Sequence, residues 1–151
     1  IYTTDETKYE IQKFSNQGEF LHKWEVPSCN PGGISSPNNL VVNGQEQVYV
    51  TNQSGNCVQK FDNQGNLLQQ WGDLGNAEGQ FNKPLSMALD AQGNLYVSDN
   101  ENGRIQKFDP NGNFLAAYGP FEYPVGIAVD SEGYVYLVEI VLGRLQKLRL
   151  Q

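Results

Sequence analysis

Three stretches of the chain read nearly alike: IQKFSNQGEFLHKW from Ile11, VQKFDNQGNLLQQW from Val58 and IQKFDPNGNFLAAY from Ile105. A fourth copy, LQKL, starts at Leu145. Self-similarity at a fixed period restricts a chain to folds that stack one structural unit several times. The steps from Lys13 to Lys60, Lys107 and Lys147 are 47, 47 and 40 residues. Tyr2, Tyr49, Tyr96 and Tyr136 are spaced by the same steps, each 11 residues before its lysine. Pro37, Pro84 and Pro124 form a third anchor in register with the other two.

Each period holds four short apolar runs separated by turn chemistry. In the third unit SMALD, LYVSD, RIQKFD and FLAAYG are divided by DAQGN, NENG and PNGN. Runs of four to six residues rich in Val, Ile, Leu, Tyr and Phe between Asp/Asn/Gly clusters predict strands. No stretch sustains a helical period, and glycine recurs too often for helices. Turns of the form D-x-x-G start at Asp62, Asp90, Asp109 and Asp130. The aspartate bonds back to the backbone and the glycine supplies the positive φ of a bulged hairpin. Four antiparallel strands every 40–47 residues are the signature of propeller blades. Neighbouring blades cover both faces of each sheet, so the strands are apolar on both sides. The fold class expected is all-β: a β-propeller of four-stranded antiparallel blades, here incomplete.

The run WGDLGNAEGQFNKPLSMALDAQGNLYVSDNENGRIQKFD, from Trp71 to Asp109, resembles the NHL repeat. Gly72, Gly75, Gly79, Phe81, Pro84, Asp90, Gly93, Tyr96, Val97, Asp99, Arg104, Ile105, Lys107 and Phe108 fill its pattern. The resemblance extends over essentially the whole chain and implies a propeller usually built with six blades. It is specific for fold and silent on role, because one fold hosts many functions.

With strands named a to d from the axis outward, the chain opens in a strand b and closes in a strand c. Residues 1–151 are expected to be a partial propeller with blades at about 1–28 (strands b–d), 37–75, 84–120 and 124–151 (strands a–c). A six-bladed ring takes about 24 strands at four per blade. Two copies would not close it seamlessly, since two b–c hairpins would compete for one place. The chain is therefore expected to be an excerpt of a longer one. Missing blades or another chain would cover its open edges.

In a propeller the d-to-a and b-to-c connections share one face, and the longer loops gather there. Asp5, Asn52, Asp99 and Glu139 occupy one repeat position at that end of strand b. Such a ring could bind a cation such as calcium, or a polar ligand. Alternatively, each residue caps its own b–c hairpin. Cys29 and Cys57 fall in two loops on the same face of one blade, which makes them a disulfide candidate. A bridge there would suit an extracellular or periplasmic setting. Asn52-Gln53-Ser54 is a glycosylation sequon. Lys13, Lys60, Lys107 and Lys147 share one position of strand c and read as solvated blade-edge residues.

No catalytic constellation is present. His22, the only histidine, lies on an outer strand d. DNENGR lacks the ligand spacing of an EF-hand. GDLGNAEG precedes an innermost strand, so it is no phosphate loop. No cofactor is expected.

The net charge is −7, from 17 acidic and 10 basic residues. That balance disfavours nucleic acid and anionic membrane as partners. No apolar run nears the ~20 residues of a membrane span. The function expected is a non-catalytic interaction or scaffold module binding a protein, peptide or glycan through its loop-rich face. The resemblance also implies a lyase or lactonase-like enzyme whose metal ligands lie in blades absent from this chain. An RNA-binding role, the third implication, would need a basic channel face.

Overall fold

A computed structural model describes residues 1–150. Fourteen strands form four antiparallel sheets, each hydrogen-bonded in chain order. Blade 1 holds β1 (Tyr2–Asp5), β2 (Glu10–Phe14) and β3 (Phe20–Glu25). Blade 2 holds β4 (Pro37–Val42), β5 (Val48–Asn52), β6 (Cys57–Phe61) and β7 (Leu67–Trp71). Blade 3 holds β8 (Pro84–Leu89), β9 (Leu95–Asp99), β10 (Arg104–Phe108) and β11 (Phe114–Tyr118). Blade 4 holds β12 (Pro124–Val129), β13 (Val135–Glu139) and β14 (Arg144–Leu148). The only helical piece described is one 3-10 turn, Asn100–Asn102. The architecture is an arc of a β-propeller.

The hairpins follow from the D-x-x-G chemistry. Asp90 Oδ1 accepts from the backbone N–H groups of Gln92 and Asn94 at 3.0 and 2.8 Å, and Oδ2 accepts from Asn94 Nδ2. Gly93 closes the turn at φ +82°, a conformation that costs a side-chain-bearing residue. Asp62 and Asp109 repeat the arrangement. Each complete c–d hairpin carries a register shift just before its strand-c phenylalanine, at Lys13/Phe14, Lys60/Phe61 and Lys107/Phe108.

Alternation along the strands builds the contacts between blades. Val48, Val50 and Phe61 face back and pack with Ile11, Trp24 and Val26 of blade 1 and the segment after it. Tyr49 and Val58 face forward, clustering with Phe81, Met87, Leu95, Val97 and Phe108. Tyr96 and Ile105 do the same toward Val135 and Leu137. Phe108 stands at the centre of an aromatic chain, 6.0 Å from Trp71, 5.6 Å from Phe81 and 6.1 Å from Phe114. Hydroxyls stitch the inner strands: Thr4 Oγ1 donates to Asn38 O, and Thr51 Oγ1 to Leu85 O.

Of the repeated lysines Lys60 departs from the solvated-edge expectation, Lys13 and Lys107 are half-buried, and Lys147 is exposed. Cross-strand register sets Tyr2, Tyr49, Tyr96 and Tyr136 opposite Lys13, Lys60, Lys107 and Lys147. Each ammonium lies 4.8–5.3 Å from its tyrosine ring centroid, a cation–π geometry. Lys60 is buried and donates to Pro110 O at 3.1 Å.

The two outward faces of the arc differ. The backward-facing position held by buried Val50, Val97 and Leu137 is held in blade 1 by exposed Thr3. The forward-facing position held by Thr4, Thr51 and Ser98 is held in blade 4 by Val138, beside exposed Leu145.

Candidate functional site

The d–a segments and the b–c tips meet on one face. Gln53 N donates to Ser36 O, Glu101 N to Asn82 O, and Ile140 N to Tyr123 O. These bonds tie each hairpin tip to the loop that leads into its own blade.

Asp99 is fully buried at the end of β9. Its Oδ1 accepts from Asn82 N at 2.7 Å. Its Oδ2 accepts from Arg104 Nε, Asn102 Nδ2 and Gln106 Nε2 at 2.7, 2.9 and 3.1 Å. The Arg104 guanidinium then reaches the carbonyls of Asn76, Ala77 and Gln80. One carboxylate–guanidinium pair therefore fixes the whole 72–83 loop. Glu139 repeats the plan with Arg144, Gln146 and the backbone N–H of Glu122. Its hydrogen bond from Arg144 outweighs the cost of burial and holds the carboxyl down at about 2.

Asn52 is also fully buried. Oδ1 accepts from Ser36 N and Gly55 N, while Nδ2 donates to Pro27 O, Ser35 Oγ and Gln59 Oε1. A glycan on Asn52 would require that amide to leave all three acceptors. Asp5 accepts from the backbone of Thr7 and Lys8 and from the Thr7 hydroxyl, which keep its carboxyl below the usual range. Asn52, Asp99 and Glu139 thus spend their polar atoms inside the protein, and Asp5, at the surface, spends Oδ1 on its own hairpin tip. Cys29 and Cys57 form a disulfide with a Cα–Cα distance of 6.4 Å, pinning the 26–36 loop to the tip of blade 2.

Among the described residues no three His, Cys, Asp or Glu side chains cluster as metal ligands would. His22 lies on β3, its Nε2 3.0 Å from Gln64 O and its ring 5.8 Å from Trp24. No described helix is long and apolar enough to cross a membrane.

Three hollows open on the loop-rich face. One of about 410 Å³ lies between Tyr9 and Ile34, with Glu25 on its rim. One of about 450 Å³ is bounded by Glu6, Ser36, Asn56, Leu74 and Lys83. A third, of about 230 Å³, lies between the tip at Asn100–Gly103 and Tyr123. Tyr9, Ile34, Leu74, Tyr123 and the tip Ile140-Val141-Leu142 stand 44–66% exposed here. Spacing along the chain did not single these side chains out, because they lie in loops outside the strand pattern.

The charge of this face is lopsided. It carries ten of the 17 carboxylates but five of the ten cations. All five cations are ion-paired: Lys8–Asp5, Lys23–Glu10, Lys83–Glu101, Arg104–Asp99 and Arg144–Glu139. Glu6, Glu25, Asp73, Glu78 and Glu122 remain outside the described ion pairs.

Comparison with known proteins places this geometry. Residues 81–108 match the NHL repeat model. No curated protein matches the chain in sequence. Among solved structures, a catalytically inactive histidine-to-alanine variant of virginiamycin B lyase from Staphylococcus aureus, with quinupristin, is 19% identical at TM-score 0.75. The alignment covers 99% of this chain and 51% of that one. A protein of unknown function from Bacteroides thetaiotaomicron is 18% identical at TM-score 0.79, covering 97% and 43%. A streptogramin B lyase is 17% identical at TM-score 0.71, covering 99% and 50%. The chain spans about half the length of these solved structures or somewhat less, and the likeness is one of fold.

Proposed function

We propose that this NHL-repeat propeller arc is a non-catalytic interaction module that engages a protein, peptide or glycan through its loop-rich face. The observation that carries the reading is the concentration of exposed apolar side chains around hollows on that face. Large exposed apolar groups rimmed by polar ones mark interaction surfaces. The buried carboxylates and amides of the repeat support it from the other side, since they are consumed in holding the loops still. A rigid loop set lowers the ordering cost of binding.

A second reading is favoured by the likeness to two lyases. Here the arc would be part of a propeller enzyme whose reactive groups lie outside residues 1–151. A histidine substitution accompanies inactivity in the S. aureus lyase. The only histidine here, His22, lies on an outer strand away from the loop-rich face.

The test is paired. Peptide and glycan arrays are probed with the wild-type chain and with Ile34→Asp/Leu74→Asp. Specific binding that the variant loses supports the module. A longer chain that carries this arc together with blades completing the ring is also incubated with quinupristin, and the mixture is separated by chromatography. A new product that grows with time would replace the module by the enzyme.

A further inference from the structure

We infer that the two adjoining hollows on the loop-rich face form one groove for a positively charged, apolar-rich peptide segment. The inference rests on the interaction reading above and names the partner's chemistry. The hollows meet at consecutive residues, Ser35 lining one and Ser36 the other. Their walls carry Tyr9 and Ile34 at one end and Leu74 at the other, all exposed. These are seats for apolar side chains.

The charge selects what lies between those side chains. Glu25 rims the first hollow, and Glu6 the second. Glu6 accepts from Ser36 Oγ at 2.9 Å, which aims its carboxylate along the junction. The two lysines at the ends of the groove are already neutralised, Lys8 by Asp5 and Lys83 by Glu101. An acidic ligand would meet Glu6 and Glu25, which stand outside the described ion pairs, and a neutral one would leave them unused. A Lys or Arg between apolar residues gains a charge-assisted hydrogen bond at each.

The groove is preorganised. The disulfide fixes the 26–36 loop, Asn30 Nδ2 donates to Gly55 O, and Ser36 N donates to Asn52 Oδ1. Lys83 is held at φ +56° with its backbone N–H on Asn56 Oδ1. The floor is thus set before a ligand arrives.

The experiment uses three labelled peptides sharing the same leucine and tyrosine positions, with lysine, serine or glutamate at the rest. Fluorescence anisotropy is read against the wild-type chain, against Glu6→Lys/Glu25→Lys and against Glu19→Lys/Glu132→Lys. The last variant makes the same change in net charge on the opposite side of the blades. At 0.15 M salt, charges more than about 8 Å apart are largely screened. The lysine peptide is expected to bind tightest. Its affinity should fall at least about tenfold with the groove variant and less than about twofold with the control. Glu6→Gln/Glu25→Gln, which only neutralises, should fall between them, and circular dichroism checks that each variant is folded. If the serine peptide binds as tightly as the lysine one, the charge inference fails and the interaction reading stands. If both lysine variants lose affinity equally, attraction is general and the groove is not the site. If none of the peptides binds at about 1 mM, both the inference and a peptide-binding role fall.

Discussion

Cys57 holds in blade 2 the position that Arg104 holds in blade 3. Each opens its third strand, and each reaches into the loop leading into its own blade. Cys57 does so through the bond to Cys29, and Arg104 through three backbone carbonyls. The partner one strand back changes with it. Arg104 faces the carboxylate of Asp99, whereas Cys57 has the neutral amide of Asn52. A buried guanidinium needs a counter-charge; a disulfide does not. Blade 4 repeats the charged form with Arg144 and Glu139.

Removing the disulfide should therefore loosen one loop. Cys29→Ser/Cys57→Ser opens a link across 28 residues and should cost roughly 2–4 kcal/mol of stability. Urea unfolding gives the total. Hydrogen exchange should quicken at residues 27–36 and stay unchanged at 72–83. Uniform quickening would mean that the bridge braces the whole arc instead.

Arg104→Ala leaves Asp99 buried without its cation and should cost about 3 kcal/mol. Arg104→Lys should recover only part, because an ammonium cannot fork across the carbonyls of the 72–83 loop. Asn52→Asp, which buries a carboxylate with no cation at its strand position, should destabilise by a similar amount. Thermal unfolding of the three variants checks the series. An Asn52→Asp protein as stable as wild type would contradict the pairing of charge with charge.

Acid should act through the hairpins and Glu139. Hydrogen bonds from Asn66 and Asn113 hold the carboxyls of Asp62 and Asp109 below their ordinary range. Glu139 is held from its usual 4.5 down to about 2. A carboxyl with a lower value folded than unfolded stabilises fully above its unfolded value and loses that contribution as the pH falls. Stability should be level above pH 4.5 and decline toward pH 2. Glu139→Gln should be less stable at neutral pH and show a shallower acid limb. A wild-type curve flat to pH 2 would rule out this account.

Periodicity made the strands legible because each turn announces itself: Asp62, Asp90, Asp109 and Asp130 all begin hairpins. The Tyr–Lys spacing of 11 residues encoded a cross-strand pair, yet Lys60 under its tyrosine ring was not legible. Register decides that contact, and spacing alone leaves it open. Cys29 and Cys57 could be placed on one face from their loops. The partners of Asp99 could not. Its place at the end of a strand was clear, but the loop that folds back over it lies up to 27 residues away in sequence. The exposed groups Ile34 and Leu74 stayed unseen because they sit among glycines and serines, where apolar pattern carries no strand signal.

Thr3 and Val138 make the arc directional. Water wets the outer face of blade 1 at Thr3, where a hydroxyl takes the place of the apolar Val50, Val97 and Leu137. The outer face of blade 4, with Val138 and Leu145, sheds it. Two arcs meeting by their water-shedding ends would match valine to valine with no hydroxyl to reach the opposing carbonyls. The order of blades thus reads differently from its two ends, and whatever seats against one end has no reason to seat against the other.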